Sequence, residues 1–367
     1  PTRELPVEPE LHWRATTGQE IASSPISQGW LQDFDSPELN ALITEALSGN
    51  LDFRATSARV QAARARWRIA RSDRFPSFEL STDAARTRRT TSSNGHTTSA
   101  YANSFELAGT ASWELDLWKR LSHLDKAALA EWQASEANLA AAQLSLAAAV
   151  GKAWVSMLAA RDRLLLAEQT LESFELTQQI IEDRYKQGVT SALDVHLGRA
   201  SVAQSRSAVQ LQQRRFQEAV RVLEVLLGRY PAQEQTSLQP LPELVWQHVP
   251  AGLPAEILSR RPDLIAQERI LTSSEAEWMA AKADLLPKLR LTASAGSSSD
   301  ELHKLLDLDY LVATIAAGLT QPIFNGGELK AKVAEAEAVR QVALADYAQA
   351  LLVAFEEVEK ALAGDQL

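Results

Sequence analysis

The stretch Ala317–Ala338, AGLTQPIFNGGELKAKVAEAEA, changes character within a few residues. It begins with small and apolar residues that suit a strand. It then meets Pro322, Asn325, Gly326 and Gly327, and continues as charged, alanine-rich sequence built from good helix formers. Proline lacks the N–H that a strand ladder needs, and Asn-Gly-Gly supplies a turn. The expectation is a strand stopped at Pro322, a turn, and a helix. Ser112–Glu131, SWELDLWKRLSHLDKAALAE, makes a similar switch, with Trp113 and Trp118 flanking it.

Working back from each switch, the sequence alternates. Phe105, Leu107, Gly109, Ala111, Trp113, Leu115 and Leu117 occupy every second position, with Glu106, Thr110, Ser112, Glu114 and Asp116 among those between. That period of two predicts a strand with one apolar and one mostly polar face. A second strand is expected over 78–85, joined to it by a polar loop, RTRRTTSSNGHTTSA, with an Asn-Gly turn signal. Leu289, Leu291, Ala293 and Ala295 alternate in the same way, as do Leu311, Ala313, Ile315, Ala317 and Leu319, across the polar linker SSSDELHKLLDLD. Strands of about ten residues, apolar on one side, suit a tilted barrel strand in lipid. An antiparallel sheet packed on helices has the same pattern. Because an open sheet edge is not tolerated in hydrocarbon, the membrane reading needs several chains to share one wall.

Working forward from the first switch, no proline occurs between Pro76 and Pro231, and Gly151 is the lone glycine from Lys119 to Lys186. This predicts one helix over nearly all of that range, roughly 100 Å long at 1.5 Å per residue. Such a rod needs bundled partners. Gly188 in RYKQGVTSALDV ends it. Thr190 or Ser191 can cap a second helix from about Ala192 to Leu227, with Asp194 in its first turn. Gly228 and Pro231 stop that helix. The pair forms a long hairpin.

The two switches belong to an internal repeat. Residues 45–80 lie over 256–291 without a gap, pairing Glu45 with Glu256, Asp52 with Asp263, Asp73 with Asp284 and Pro76 with Pro287. Each half reads helix, proline, strand, polar loop, strand, long helix. The expected organisation is an extended N-terminal segment over 1–35, a first repeat over 36–235, a linker over 236–254, and a second repeat over 255–367 that ends before its own helical tip. The repeat predicts about a hundred further residues after Leu367.

Bulk composition narrows the function classes. The chain has 367 residues, 46% of them apolar, a formal charge of −10 and no cysteine. The acidic balance and lack of a polybasic tract argue against a nucleic-acid partner. Cysteine chemistry and thiolate metal sites are absent. No uninterrupted apolar run approaches a membrane-spanning helix. His12, His96, His123, His196, His248 and His303 show no metal-ligand spacing, and no phosphate-loop pattern surrounds Gly326 and Gly327. Glu356 and Glu357 sit in an expected helix and read as solvated or lumen-facing acids. No catalytic, cofactor or metal residue is expected, and no enzyme.

The segments GNLDFRATSARVQAARA, ARSDRFPSFEL, SWELDLWKRL, RYKQGVTSALDV, AGLPAEILSRRPDLIAQE and LTQPIFNGGELKAKV resemble the TolC-like outer membrane factor family. The likeness runs from Trp30 to Leu367. More narrowly, the chain resembles the lipoprotein branch that works with resistance–nodulation–division pumps; among the matching stretches the segment with Gly252, Leu253, Pro254, Leu258, Arg260, Arg261, Pro262 and Asp263 is quite specific. The resemblance implies a mainly α fold with β. Three protomers each give four strands to a twelve-stranded barrel, continued by a helical periplasmic barrel. It implies a passive exit duct in the outer membrane for drugs, dyes, detergents or metal ions, partnered by a periplasmic adaptor and an inner membrane pump. Arg184, Gly188, Ser191, Leu193 and Asp194 match the family's periplasmic turn, where adaptor hairpins dock. Trp113, Trp118, Pro322, Asn325, Gly326 and Gly327 mark the two strand-to-helix switches. The branch is anchored through an acylated cysteine, and the proline-rich start PTRELPVEPELHW resembles the segment following it. The family's gate residues match positions beyond Leu367. An exit duct for type I protein secretion would use the same fold, and a soluble coiled-coil scaffold is the third reading.

Overall fold

The computed structural model describes residues 36–93, 96–233 and 260–365. The 1–35 segment, the 236–254 linker with Gly252, Leu253 and Pro254, Leu258, and the Asn94-Gly95 turn lie outside the described residues. The rest is mainly helical with one antiparallel sheet. The elements are α1 (Pro37–Gly49), α2 (Leu51–Ser72), β1 (Ser77–Ser93), β2 (His96–Leu115), α3 (Arg120–Lys186) and α4 (Ala192–Leu226). They continue as α5 (Pro262–Ala283), β3 (Lys288–Ser299), β4 (Leu311–Thr320) and α6 (Glu328–Asp365). The separation between Leu51 and Pro262 also relates Ser72 to Ala283 and Ser77 to Lys288, so the internal repeat is visible in the element boundaries.

The chain divides into two compact units. One comprises, among the described residues, 60–136 and 263–355. It holds the sheet, whose strands lie in the order β1-β2-β3-β4, each antiparallel to the next. Phe78 pairs with Ala111, Ala111 with Ala293, and Ala293 with Ile315. Because side chains alternate along a strand, those four share one face with Leu80, Gly109, Ala295 and Ala313. The other face carries Glu79, Thr110, Ser294 and Thr314. The sheet's own chain leaves the apolar face uncovered: Phe78 is 82% exposed and Ile315 87%. The junctions to α2, α3, α5 and α6 all lie at the same end of the sheet, where Ser77 pairs with Ser112 and Lys288 with Thr320.

Beside the sheet, the Trp67 and Trp132 rings stack at 5.0 Å. Asp125 accepts from Trp67 Nε1 at 2.9 Å and from Arg74 at 2.7 Å. Leu264, Leu271, Ala276 and Ala280 of α5 and Ala343, Tyr347 and Leu351 of α6 are buried.

Two expectations are corrected. The segment 86–100 is not a loop: β1 and β2 run through it on both sides of the turn. Its Thr residues favour extended backbone, and the antiparallel ladder supplies the hydrogen bonds that a polar loop would take from water. Likewise β3 extends to Ser299, and the rest of the expected linker holds two 3-10 turns, Leu302–Leu306 and Leu308–Tyr310.

The second unit comprises, among the described residues, 36–59, 137–233, 260–262 and 356–365. Its core joins Leu39, Leu42, Ile43 and Ala46 of α1 to Val150, Trp154, Met157 and Leu158 of α3 and to Val220 and Leu223 of α4. Ser36 caps α1 by accepting from Leu39 N–H at 3.3 Å, and Pro37 occupies its first turn. Asn50 ends α1 and starts α2, since its Oδ1 accepts from Phe53 N–H at 3.0 Å and its Nδ2 donates to Leu226 O at 3.0 Å. α3 is the one described helix long and apolar enough to cross a membrane by length and composition. In this unit Val150, Trp154, Met157 and Leu158 of that helix lie in the protein core.

Candidate functional site

The first-unit site is the pair of strand-to-helix junctions. In the first, Trp113 lies on the apolar face of β2 and its Nε1 donates to Arg74 O at 3.0 Å. Asp116 follows the strand. Its carboxylate accepts from Leu121 N–H at 2.9 Å, Ser122 N–H at 2.7 Å and the Ser122 hydroxyl at 2.5 Å. Those N–H groups open α3 and would otherwise lack partners. Burial raises the Asp116 pKa, but the bonds from Ser122 and Leu121 outweigh it, and the Arg74 charge adds to them. The carboxyl therefore sits below its ordinary value. Lys119 takes a φ of 61°, and Trp118 Nε1 donates to Pro287 O at 2.7 Å. Arg120 bonds Glu114 at 2.7 Å.

In the second junction, β4 stops at Thr320, before Pro322. Asn325 O accepts from Glu328 N–H at 3.2 Å, closing a turn. Gly326 and Gly327 have φ of 64° and 89°, the left-handed region that favours glycine. Gln321 Nε2 donates to Leu285 O at 3.0 Å, and Glu328 pairs with Lys332 at 2.6 Å. Ile323 and Phe324 are almost fully exposed.

The second-unit site is the turn between α3 and α4. Val189 N–H donates to Arg184 O, and Gly188 N–H to Tyr185 O, each at 2.9 Å. With Gly188 at φ 76°, this is a Schellman ending. Ser191 then caps α4: its Oγ accepts from Asp194 N–H at 3.3 Å, and Asp194 accepts from Ser191 N–H at 3.1 Å. Hydroxyl bonds from Ser191 and Thr190, then the Ser191 N–H, lower the Asp194 pKa. Glu182 of α3 links the two helices by accepting from Arg199 of α4 at 2.9 Å, and it also accepts from Gln178 of its own helix at 2.9 Å. Leu193 is 65% exposed, and Val189 and Leu197 are exposed beside it. Val189 and Leu197 are not among the residues expected at this tip from the sequence. Leu193 and Leu197, one helical turn apart, were the available signal.

Among the described residues no three acids or histidines could jointly hold a metal ion. The paired acids of α6 divide: Glu356 bonds Lys360 and Glu357 bonds Arg261 at 2.7 Å.

An uncovered sheet with one apolar and one polar face, continued at one end by long helices, suits a strand assembly inserted in lipid. The chain belongs to the outer membrane efflux protein family, whose model matches residues 42–229 and 253–366. It is 34% identical to the outer membrane protein OprJ of Pseudomonas aeruginosa over 99% of this chain and 76% of OprJ. The toluene efflux pump outer membrane protein TtgC of Pseudomonas putida is 33% identical over 95% of this chain and 72% of its own length. The solved outer-membrane channel OprN superposes with a TM-score of 0.86 at 30% identity, covering 99% of this chain and 82% of that one. The open-state MtrE channel of Neisseria gonorrhoeae gives 0.83 at 30%, covering 99% and 81%. The chain is thus the outer membrane channel component of a tripartite efflux pump of the resistance–nodulation–division type, exporting small molecules. Its long helices belong to the periplasmic extension.

Proposed function

We propose that this chain is a lipid-anchored, trimeric exit duct that receives small toxic compounds from a periplasmic adaptor docked on the α3–α4 turn. Relatives named for toluene, solvent and antibiotic efflux support a substrate range of small organic compounds. The four-stranded sheet has two free edges, β1 and β4, and hydrocarbon does not tolerate such edges. Three copies pairing β4 to the next β1 make a closed wall of twelve strands. Each copy carries its two repeats, 36–235 and 255–367, after an N-terminal segment over 1–35 and separated by a 236–254 linker. The proline-rich start supports the lipoprotein branch, with an acylated cysteine preceding Pro1. Intact mass of the native protein tests the anchor, because acyl chains add a fixed increment.

The adaptor reading rests on one observation. The turn is held rigidly by the Gly188 ending and the Ser191–Asp194 cap, yet it presents Leu193 and Val189 to solvent. Exposed apolar groups on a fixed frame are what a partner helix can bury. In this reading Arg184 closes α3 and Leu193 is the anchor. The inner membrane pump is reached through the adaptor.

The test is Leu193→Arg, with a photocrosslinker at Val189. Export should fall about tenfold, as for loss of an interface anchor worth more than 1 kcal/mol. Adaptor crosslinks should vanish while assembled channel in the outer membrane stays at its usual yield. Normal export with normal crosslinking would sink the adaptor role.

A further inference from the structure

The β1–β2 ribbon extends past the rest of the sheet. The β2–β3 ladder reaches Phe105, paired with Ser299, whereas β1 and β2 continue pairing to Ser93 and His96. Strand alternation says which residues of the ribbon share the apolar face. Ala84 pairs with Phe105, Arg86 with Asn103, and Arg88 with Tyr101. Arg86, Arg88 and Tyr101 therefore continue the face that carries Phe78, Leu80, Leu107 and Phe105. Arg89, Asp83 and Glu106 are on the opposite face.

Depth along the membrane places this cluster. From Trp113 to Phe105 the strand runs about 27 Å at ~3.4 Å per residue. At a barrel tilt this spans about 20 Å of depth, near the apolar band of an outer-membrane barrel, ~25 Å tall. Trp113 stands at the end where the helices begin, which is periplasmic. Arg86 and Arg88 come one and two rungs beyond Phe105, at the opposite margin. That is the headgroup level of the outer leaflet.

The local chemistry is cationic with an aromatic support. The Arg86 guanidinium lies 5.1 Å from the Tyr101 ring centroid and that of Arg88 5.8 Å. Tyr101 is 59% exposed, and one Arg88 nitrogen donates to Ser99 Oγ at 3.1 Å. No carboxylate shares this face of the ribbon between Ala84 and Ser99. Two guanidinium groups held on one ring and left with unused donors fit a phosphate, which takes two parallel N–H bonds from each fork.

We infer that Arg86, Arg88 and Tyr101 bind the phosphorylated headgroup of an outer-leaflet lipid, whose acyl chains lie along Phe105 and Leu107. Continuity with the apolar belt selects a lipid over a soluble anion: the ligand's charge meets the arginines and its tails meet the strand face directly below. The site tethers the ribbon to the membrane surface.

The test uses the purified, assembled full chain in detergent, with native mass spectrometry reading retained lipid. The probes are bis-phosphorylated lipid A, dephosphorylated lipid A and inorganic phosphate. Wild type should retain the phosphorylated lipid at least about tenfold better than the dephosphorylated one, the scale of a charge-assisted phosphate contact. R86Q/R88Q should lose that preference, and Y101L should weaken it. R89Q, on the other face, should behave as wild type. If R86Q/R88Q fails to assemble, the comparison of the two lipids on wild type still decides. Equal retention of both lipids, equal loss in R89Q, or full displacement by inorganic phosphate would each overturn the proposal, the last by showing an anion site without a lipid.

Discussion

The two strand-to-helix junctions make the same connection by opposite means. The β2–α3 junction is written in side chains: Asp116 holds the first N–H groups of α3, Trp118 reaches Pro287, and Arg120 bonds Glu114. It even forces Lys119 into a left-handed φ of 61°. The β4–α6 junction has one side-chain tie to a neighbouring element, Gln321 Nε2 to Leu285 O, and makes its turn with backbone. Gly326 and Gly327 supply the left-handed backbone, and a Cβ on either would meet nothing within 4 Å. The repeat therefore conserves a path of the chain, not a set of contacts. One consequence is that only the first junction has its helix start held by a titratable cap.

The largest expected effect is at Asp116. Asp116→Ala removes two backbone N–H acceptor contacts and one hydroxyl contact, and should cost about 2–3 kcal/mol. The urea midpoint of the assembled protein in detergent reads it. A change under half that size would show that water replaces the carboxylate, and would erase the contrast between junctions. The pH dependence carries a definite sign. The folded Asp116 pKa is depressed, so its contribution is complete above the unfolded value of about 3.9 and is lost as pH falls through the lower folded value. Asp116→Asn should flatten that acid limb.

The same contrast explains what could be read from sequence. The α3–α4 hairpin was legible because Gly188 and Ser191 interrupt long stretches free of breakers. The strands around Phe105–Leu115 and Leu311–Leu319 were legible because apolar residues alternate with polar ones. The ribbon at 86–100 was not, since Arg, Thr and Ser on both faces give period two nothing to act on. Pro322 and Gly326-Gly327 announce a junction. Asp116 does not, because its partners are the N–H groups of Leu121 and Ser122, beyond the usual capping spacing. Lys119 at positive φ has no sequence signature at all. At the tip, the turn chemistry was readable, but the exposure of Leu197 depends on which side of α4 its neighbours cover, and that of Val189 on how the turn is placed.

Gly327→Ala probes the second junction. Space is free around it, so the cost is the backbone alone, about 1–2 kcal/mol for a left-handed L-residue. Gly327→Asn should cost less, because asparagine tolerates that region. Thermal melting monitored by circular dichroism separates the two. Equal losses for alanine and asparagine would mean that something other than φ sets the price. Trp118→Phe in the first junction comes next, at about 1 kcal/mol for the lost bond to Pro287.

The smallest effect has the opposite sign and joins the two junctions. Lys119→Gly gives the first junction the residue type that the second already uses. It relieves a left-handed strain of about 1–2 kcal/mol. It also loosens the unfolded chain, which costs about 0.4–1 kcal/mol. The net expectation is a gain of several tenths to about 1 kcal/mol, read as a raised urea midpoint with unchanged slope. The Asp116 carboxylate should still hold α3, since its bonds run to Leu121 and Ser122, while Lys119 meets Asp116 through backbone alone, its N–H donating to the Asp116 O. A combined Lys119→Gly, Asp116→Ala variant then separates path from cap. If the two effects add, the backbone turn and the carboxylate act independently, as the second junction, which turns on glycines without a carboxylate cap, implies. If Lys119→Gly rescues most of the Asp116→Ala loss, the carboxylate's main work is to hold a strained lysine in place.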